Sequence, residues 1–120
     1  TFRNPARFER AIDRLRRRSP EIADRAAALR HVLPPRPAGT RALLRGATSA
    51  DIVVCMNTGL EAFNTLADIR ASLTSDRPIV IETYTIPRST IPEDPDAFAT
   101  WLLEEYERID AWVDAQQPQT

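Results

Sequence analysis

Apolar positions recur at helical spacing near the start of the chain. Phe8, Ala11, Ile12 and Leu15 fall on one face, behind an Asn4 cap and a proline at the first helical position. This pattern predicts a helix from Pro5 to about Arg18. Ser19-Pro20-Glu21 repeats the start signal, and Ile22, Ala26, Leu29 and Leu33 supply a second apolar stripe. Leu33-Pro34-Pro35-Arg36-Pro37-Ala38-Gly39 follows. Its prolines exclude a helix and set an extended path. Gly39-Thr40 permits a turn, and Arg41 to Arg45 predicts a short helix.

The pattern then changes. Ile52-Val53-Val54-Cys55-Met56 is a short continuous apolar run, inside a segment from Asp51 to Asn57. Such a run predicts a strand buried on both faces, as in a parallel or mixed sheet. Phe63 to Leu73 predicts a helix, and Arg77 to Ile86, rich in Ile, Val, Thr and Tyr, a second strand. Pro87 to Pro92 is a proline-bounded connection. Asp94 caps the last helix, with Pro95 and Asp96 in its first turn and Phe98, Trp101, Leu102, Ile109 and Trp112 as its apolar face. The tail from Gln116 is expected to fray, which leaves 1–115 as the folded unit and 116–120 as tail. Strands alternating with helices make the class α/β. Two strands do not make an independent sheet covered on both sides. The expectation is that the sheet has partners elsewhere or that the chain is part of a longer one, in keeping with a start at Thr1.

Composition narrows the chemistry. Cys55 and His31 are the only residues of their kinds among 120, so a disulfide framework and a Cys- or His-rich metal site are excluded. No apolar run approaches the ~20 residues of a membrane span, and no signal-peptide pattern opens the chain. All 16 basic residues are arginine. The formal net charge of −1 hides a division. Residues 1–46 carry 12 Arg against Glu9, Asp13, Glu21 and Asp24, a formal +8. Residues 47–120 carry four Arg against 13 acids, a formal −9. The basic third admits an anionic partner: nucleic acid, phospholipid or a phosphorylated small molecule.

Two blocks carry a resemblance. One is Leu33-Pro-Pro-Arg36-Pro-Ala-Gly39-Thr40-Arg41-Ala-Leu-Leu. The other runs from Ile86 through Pro87-Arg88-Ser-Thr-Ile-Pro92-Glu-Asp to Trp101-Leu102 and ends in Asp110-Ala-Trp112. With Asn57-Thr58-Gly59-Leu60 between them, they resemble the C-terminal half of the lysophosphatidic acid acyltransferases (1-acyl-glycerol-3-phosphate acyltransferases). The resemblance covers most of the chain. It implies a glycerolphosphate-acyltransferase-like α/β fold, a mixed sheet with covering helices, present as the C-terminal portion of the domain. The implied activity is transfer of an acyl group from acyl-CoA or acyl carrier protein to a lysophospholipid, at the cytoplasmic face of the cell membrane. No cofactor or metal is implied, and no nucleic acid. In the family a His-x-x-x-x-Asp motif supplies the general base. This chain has none, since Arg36 stands five residues after His31. The resemblance therefore assigns no catalytic residue within the chain.

It does suggest binding residues. Arg36 matches the arginine of a Pro-Arg-x-x-Gly block, where a guanidinium forks onto phosphate oxygens. Its alternative is an exposed loop arginine. Gly39 completes that block; many relatives carry a second basic residue where Ala38 lies, and here either Arg41 takes its part or the place is left unfilled. Thr1 and Arg3 parallel the family's Glu-Gly-Thr-Arg phosphate grip, against the alternative of a frayed terminus. Asn57 and Thr58 follow a strand end, where α/β folds place ligands, or form a plain turn. His31 reads as a helix-end cap rather than a base, and Cys55 as a small buried hydrophobe. The arginines at 14–18 either touch anionic headgroups or make a solvated face. Trp101 and Trp112 read as core anchors in preference to a membrane belt.

Three function classes remain open. One is the acyltransferase portion. Another is a non-catalytic module gripping anionic lipid or nucleic acid through its Arg-rich helices. The third is an inactive relative that kept the phosphate loop.

Overall fold

The computed structural model describes residues 3–60, 65–72 and 78–117. Helices α1 (Pro5–Arg18), α2 (Pro20–Ala26) and α3 (Pro37–Gly46) lead to strand β1 (Ile52–Thr58). Helix α4 (Leu66–Ser72), strand β2 (Val80–Ile86), a single 3-10 turn (Arg88–Thr90) and helix α5 (Pro95–Gln116) follow. Mixed α/β is thus the class.

The helix starts form as the local chemistry requires. Asn4 Oδ1 accepts the Arg7 N–H at 2.8 Å, and the Asp94 carboxylate accepts those of Asp96 and Ala97 at 3.1 and 2.9 Å. Each satisfies N–H groups that the first turn leaves without an intrahelical partner. Ser19 makes no such side-chain bond, and α2 ends at Ala26. Leu29 is still buried beyond it, on a turn instead of a continued helix.

The long helix α5 is the spine. On one side Leu103 packs with Ile12 and Leu15 of α1 and with Ala23, Ala26 and Leu29. On the other, Phe98 and Leu102 pack with Ile86 and Ile91, flanked by Leu44, Ile52, Val54 and Tyr84. The buried face of α5 is Phe98, Leu102, Leu103, Glu105, Asp110 and Val113. It is rotated from the expected stripe, leaving Trp101, Ile109 and Trp112 half-buried at its edge. Trp112 Nε1 donates to Glu82 Oε2 at 2.7 Å, and Trp101 packs against the Phe98 ring with centroids 5.4 Å apart. Both tryptophans act as packing anchors of the sheet and helix.

The sheet differs from the expectation of a parallel or mixed sheet with strands buried on both faces. It is one antiparallel pair, with Ile52 opposite Ile86 and Thr58 opposite Val80. Met56 and Thr58 are buried toward α5, whereas Val53 is 66% and Ile81 62% exposed. Among the described residues only one face has a helix over it, so a continuous apolar run sits on a half-covered pair. Run length alone does not separate those two cases. Cys55 lies on the open face, opposite Thr83, and is exposed instead of buried. At the end of β1 the chain leaves through Gly59 at φ +96°, where a Cβ would stand 2.6 Å from the Pro78 carbonyl oxygen. That close approach accounts for the glycine.

Two other boundaries shift. α3 begins at Pro37, because proline is well suited to the first helical position, so the extended segment ends at Arg36. The helix expected over 63–73 is described as Leu66–Ser72, and the strand expected over 77–86 as Val80–Ile86. Phe63, Leu73 and Arg77 lie outside the described residues. So do 118–120 of the expected tail, while α5 itself continues to Gln116.

Candidate phosphate-binding loop

Arg36 occupies the N-cap position of α3 and is exposed. The two preceding prolines, Pro34 and Pro35, are buried and the following Pro37 opens α3, so the backbone is fixed on either side of a projecting cation. The Arg36 carbonyl accepts the Thr40 N–H at 3.1 Å and the Thr40 hydroxyl at 3.2 Å. Its guanidinium makes no hydrogen bond or ion pair among the described residues. No side chain caps α3, and Pro37 contributes no N–H. The N–H groups of Ala38 and Gly39 therefore point, with the positive end of the helix dipole, into the space beside Arg36. Nothing stands within 4 Å of a Cβ built on Gly39, so its local packing has room for a larger residue. Gly39 is thus a first-turn helical residue, not the loop glycine expected.

The loop is held from below by Asp110. This buried carboxylate on α5 accepts the backbone N–H groups of Arg30 (3.0 Å), His31 (2.6 Å) and Val32 (3.1 Å). Arg3 secures the same stretch from the other side. Its Nη1 donates to the Val32 carbonyl at 3.3 Å, and its guanidinium lies 4.3 Å from the Phe8 ring centroid. Arg3, expected to contact phosphate, is therefore engaged in the scaffold instead, at Val32, four residues before Arg36. Arg41 is engaged as well: its Nη2 donates to the Glu93 carbonyl at 3.1 Å and ties α3 to the start of α5. Thr1 lies outside the described residues. Asn57 and Thr58 belong to β1, not to a turn, with Asn57 on the open face and Thr58 buried. They sit at the end of the strand remote from Ile52, roughly 16–20 Å along it. The structure thus keeps Arg36 and Gly39 together at one helix start and assigns Arg3 and Arg41 to holding that start in place.

His31 has a carboxylate partner that its sequence neighbourhood does not show. Its Nε2 lies 2.9 Å from Asp114 Oδ1, which Arg30 Nη1 also approaches at 3.2 Å. Both the main chain and the side chain of His31 are thus bound to α5, and the residue anchors the loop instead of capping helical carbonyls. The His31 hydrogen bond, then the Arg30 charge, holds the Asp114 carboxyl below the usual carboxylate range. A lowered folded-state pKa stabilises the fold above the unfolded value, ~4, and the contribution disappears as pH falls through the folded value. Asp114→Asn is therefore expected to flatten the acid limb of stability below about pH 4. Urea unfolding at stepped pH checks this, and superimposable limbs for the two proteins would refute the coupling.

Other ionic contacts stitch elements together. Arg25 and Glu107 (3.0 Å), with Arg30 and Asp114, face each other across a shallow hollow of about 340 Å³ between α2 and α5. Its charges are mutually satisfied. Tyr84 donates to Glu105 Oε2 at 2.7 Å, and its hydroxyl is pushed up to about 12 by burial and by that carboxylate. Burial also raises Tyr106. In the turn after β2, Arg88 donates its backbone N–H to Asp51 at 2.9 Å, while its Nη1 is buried with no partner among the described residues. No group of His, Cys, Asp or Glu among the described residues is arranged to hold a metal ion, and no described helix is long and apolar enough to cross a membrane.

Asp110, Asp114 and Arg3 are the supports that sequence reasoning missed. Asp110 carried one usable signal. It lies seven residues after Leu103 and three before Val113, an acid in the buried row of an otherwise apolar face.

The chain matches no family model, and neither curated proteins nor solved structures give a match.

Proposed function

We propose that the Arg36 loop binds the phosphate of a phosphorylated acyl acceptor, and that the chain is the acceptor-binding portion of a lysophospholipid acyltransferase. The observation that carries this reading is the unpaired, exposed guanidinium of Arg36 beside an uncapped helix start. Most arginines near it are spent on structure: Arg3 on Val32 and Phe8, Arg25 on Glu107, Arg30 on Asp114, Arg41 on Glu93. Arg36 is left on a loop that prolines and Asp110 hold still. A planar guanidinium and two helical N–H groups together match the oxygens of a phosphomonoester. The resemblance of the Leu33–Leu44 and Ile86–Trp112 blocks supplies the rest. The acceptor is a lysophospholipid such as lysophosphatidate, the donor acyl-CoA or acyl carrier protein, and the place of work the cytoplasmic membrane surface. In this reading the acyltransferase-like sheet is larger than the pair described: it extends from the outer edges of β1 and β2, and the open face around Val53 and Ile81 is where a further layer covers it.

The residues present bind and orient; they do not include the family's His-x-x-x-x-Asp base. Binding is therefore the readout. Lysophosphatidate is expected to bind the chain more tightly than monoacylglycerol, which lacks the phosphate. Arg36→Ala is expected to remove about 1.5–3 kcal/mol of that preference, some tenfold to hundredfold in affinity. Titration calorimetry below the micelle concentration measures it. Equal affinities for the two lipids, or an unchanged Arg36→Ala, would take Arg36 out of the site.

A further inference from the structure

Helix α1 has two faces. Ile12 and Leu15 are buried against α2 and α5, with Phe8 beside them. On the opposite face stand Arg7, Arg10, Arg14, Arg17 and Arg18, all exposed. At 3.6 residues per turn these five fall within roughly 100° of the helix circumference. They form one row along a helix of 14 residues, about 21 Å long.

The arginines elsewhere show that this row is not a default. Arg16, Arg25, Arg30 and Arg108 each meet an acid, at 2.9, 3.0, 3.2 and 3.5 Å. Those pairs bind neighbouring elements or turns. Arg14, Arg17 and Arg18 have no ion pair or hydrogen-bond acceptor for their side chains among the described residues. Acids Glu9 and Asp13 of the same helix lie on its flank, outside the row. Within the row, Arg14, Arg17 and Arg18 thus keep their charge toward solvent, and with Arg7 and Arg10 they make one straight positive edge.

We propose that this edge docks the protein on an anionic phospholipid surface, with α1 lying flat along the headgroups. The choice of a lipid surface over another polyanion rests on the acyl-acceptor reading and on three features of the row. It is straight along a helix that Ile12 and Leu15 fix to the core from another side, which suits a plane. No aromatic side chain stands within it to stack on a base. The remaining chain, residues 47–120 at a formal −9, is largely screened from a plane once it stands more than about 8 Å away. The apolar side of α1 is committed to the core, so the docking is electrostatic and does not insert the helix. Guanidinium groups fork onto headgroup phosphates, and each contributes a similar increment.

Co-sedimentation with vesicles tests this using the full chain. One set is phosphatidylcholine alone, the other phosphatidylcholine with phosphatidylglycerol, at physiological ionic strength. The chain is expected to sediment with the anionic vesicles only, and to be released by added salt. Arg14→Gln/Arg17→Gln is expected to weaken binding about thirtyfold. Arg45→Gln/Arg70→Gln, an equal charge change at exposed sites off the row, is expected to leave it within about twofold. An unchanged thermal melt of each variant confirms that the fold is retained. Three results would overturn the proposal: equal binding to neutral vesicles, equal losses for the two double variants, or a preference for duplex DNA over anionic vesicles. The assay contains no lysophosphatidate. A failure at Arg36 therefore leaves this result standing, and a failure here leaves the acceptor site standing.

Discussion

Phe98→Ala is expected to lower stability by roughly 3–5 kcal/mol, a fall in melting temperature of roughly 10–20 °C. The side chain is 1% exposed, at the point where α5 meets the sheet. It packs with Ile86, Ile91 and Leu102, and its ring meets Trp101 at a tilted 41°. Truncation removes the transfer free energy of the ring and the tilted aromatic contact, and opens a cavity that the sheet is poorly placed to fill. Among the described residues no second helix lies behind β1 and β2, so this cluster is the apolar hold of the pair on α5, beside the Tyr84–Glu105 and Trp112–Glu82 hydrogen bonds. Urea unfolding followed by far-ultraviolet circular dichroism and tryptophan fluorescence measures both the loss and its spread. The second cluster, around Leu103, shares only the helix with the first. The fluorescence transition, reporting Trp101 and Trp112, which both meet the sheet side of α5, is therefore expected to move at least as far as the helical signal. A loss below about 1 kcal/mol would show that the sheet is held by something other than α5.

What was legible in the sequence was what neighbouring residues decide. Asn4-Pro5 and Asp94-Pro95 announced helix starts because a cap and its N–H partners lie within three residues. The apolar stripe of α1 was legible for the same reason. The direction of strand pairing was not, because Ile52–Met56 carries no record of whether its partner runs parallel or whether a helix covers its second face. Pro37 was read as a breaker when it opens α3, since the same fixed φ serves both uses. The supports of the Arg36 loop were hidden by distance along the chain. Asp110 and His31 are 79 residues apart, and Asp114 and His31 83. Charge composition admits an anionic partner for the first third and goes no further. The structure divides that charge into arginines that build the fold and a smaller set without a side-chain partner among the described residues, and Arg36 belongs to that set with Arg14, Arg17 and Arg18 of α1.

Asp110→Asn is expected to cost about 3 kcal/mol and to damage the loop more than the fold as a whole. One carboxylate receives three backbone N–H groups from consecutive residues, 30–32. Hydrogen bonds to a charged acceptor contribute about 1.5–3 kcal/mol, and a buried donor left bare costs a comparable amount. An asparagine in the same place keeps one acceptor oxygen and turns an NH₂ toward the remaining N–H groups. The residue is 8% exposed, so water does not readily replace what is lost. The consequence reaches Arg36 because Pro34 and Pro35 transmit the position of 30–32 to α3 without a flexible joint. Lysophosphatidate affinity is therefore expected to fall about tenfold in Asp110→Asn under conditions where the protein remains folded. Leu103→Val, a modest loss in the same core without a polar contact to the loop, is expected to lower stability by about 1 kcal/mol and leave that affinity unchanged. Chemical denaturation and calorimetric titration of the two variants separate the effects. If affinity follows stability alone, equal per kcal/mol in both, then Asp110 only holds the fold together. If it falls in Asp110→Asn alone, the carboxylate on α5 sets the aim of the arginine on α3.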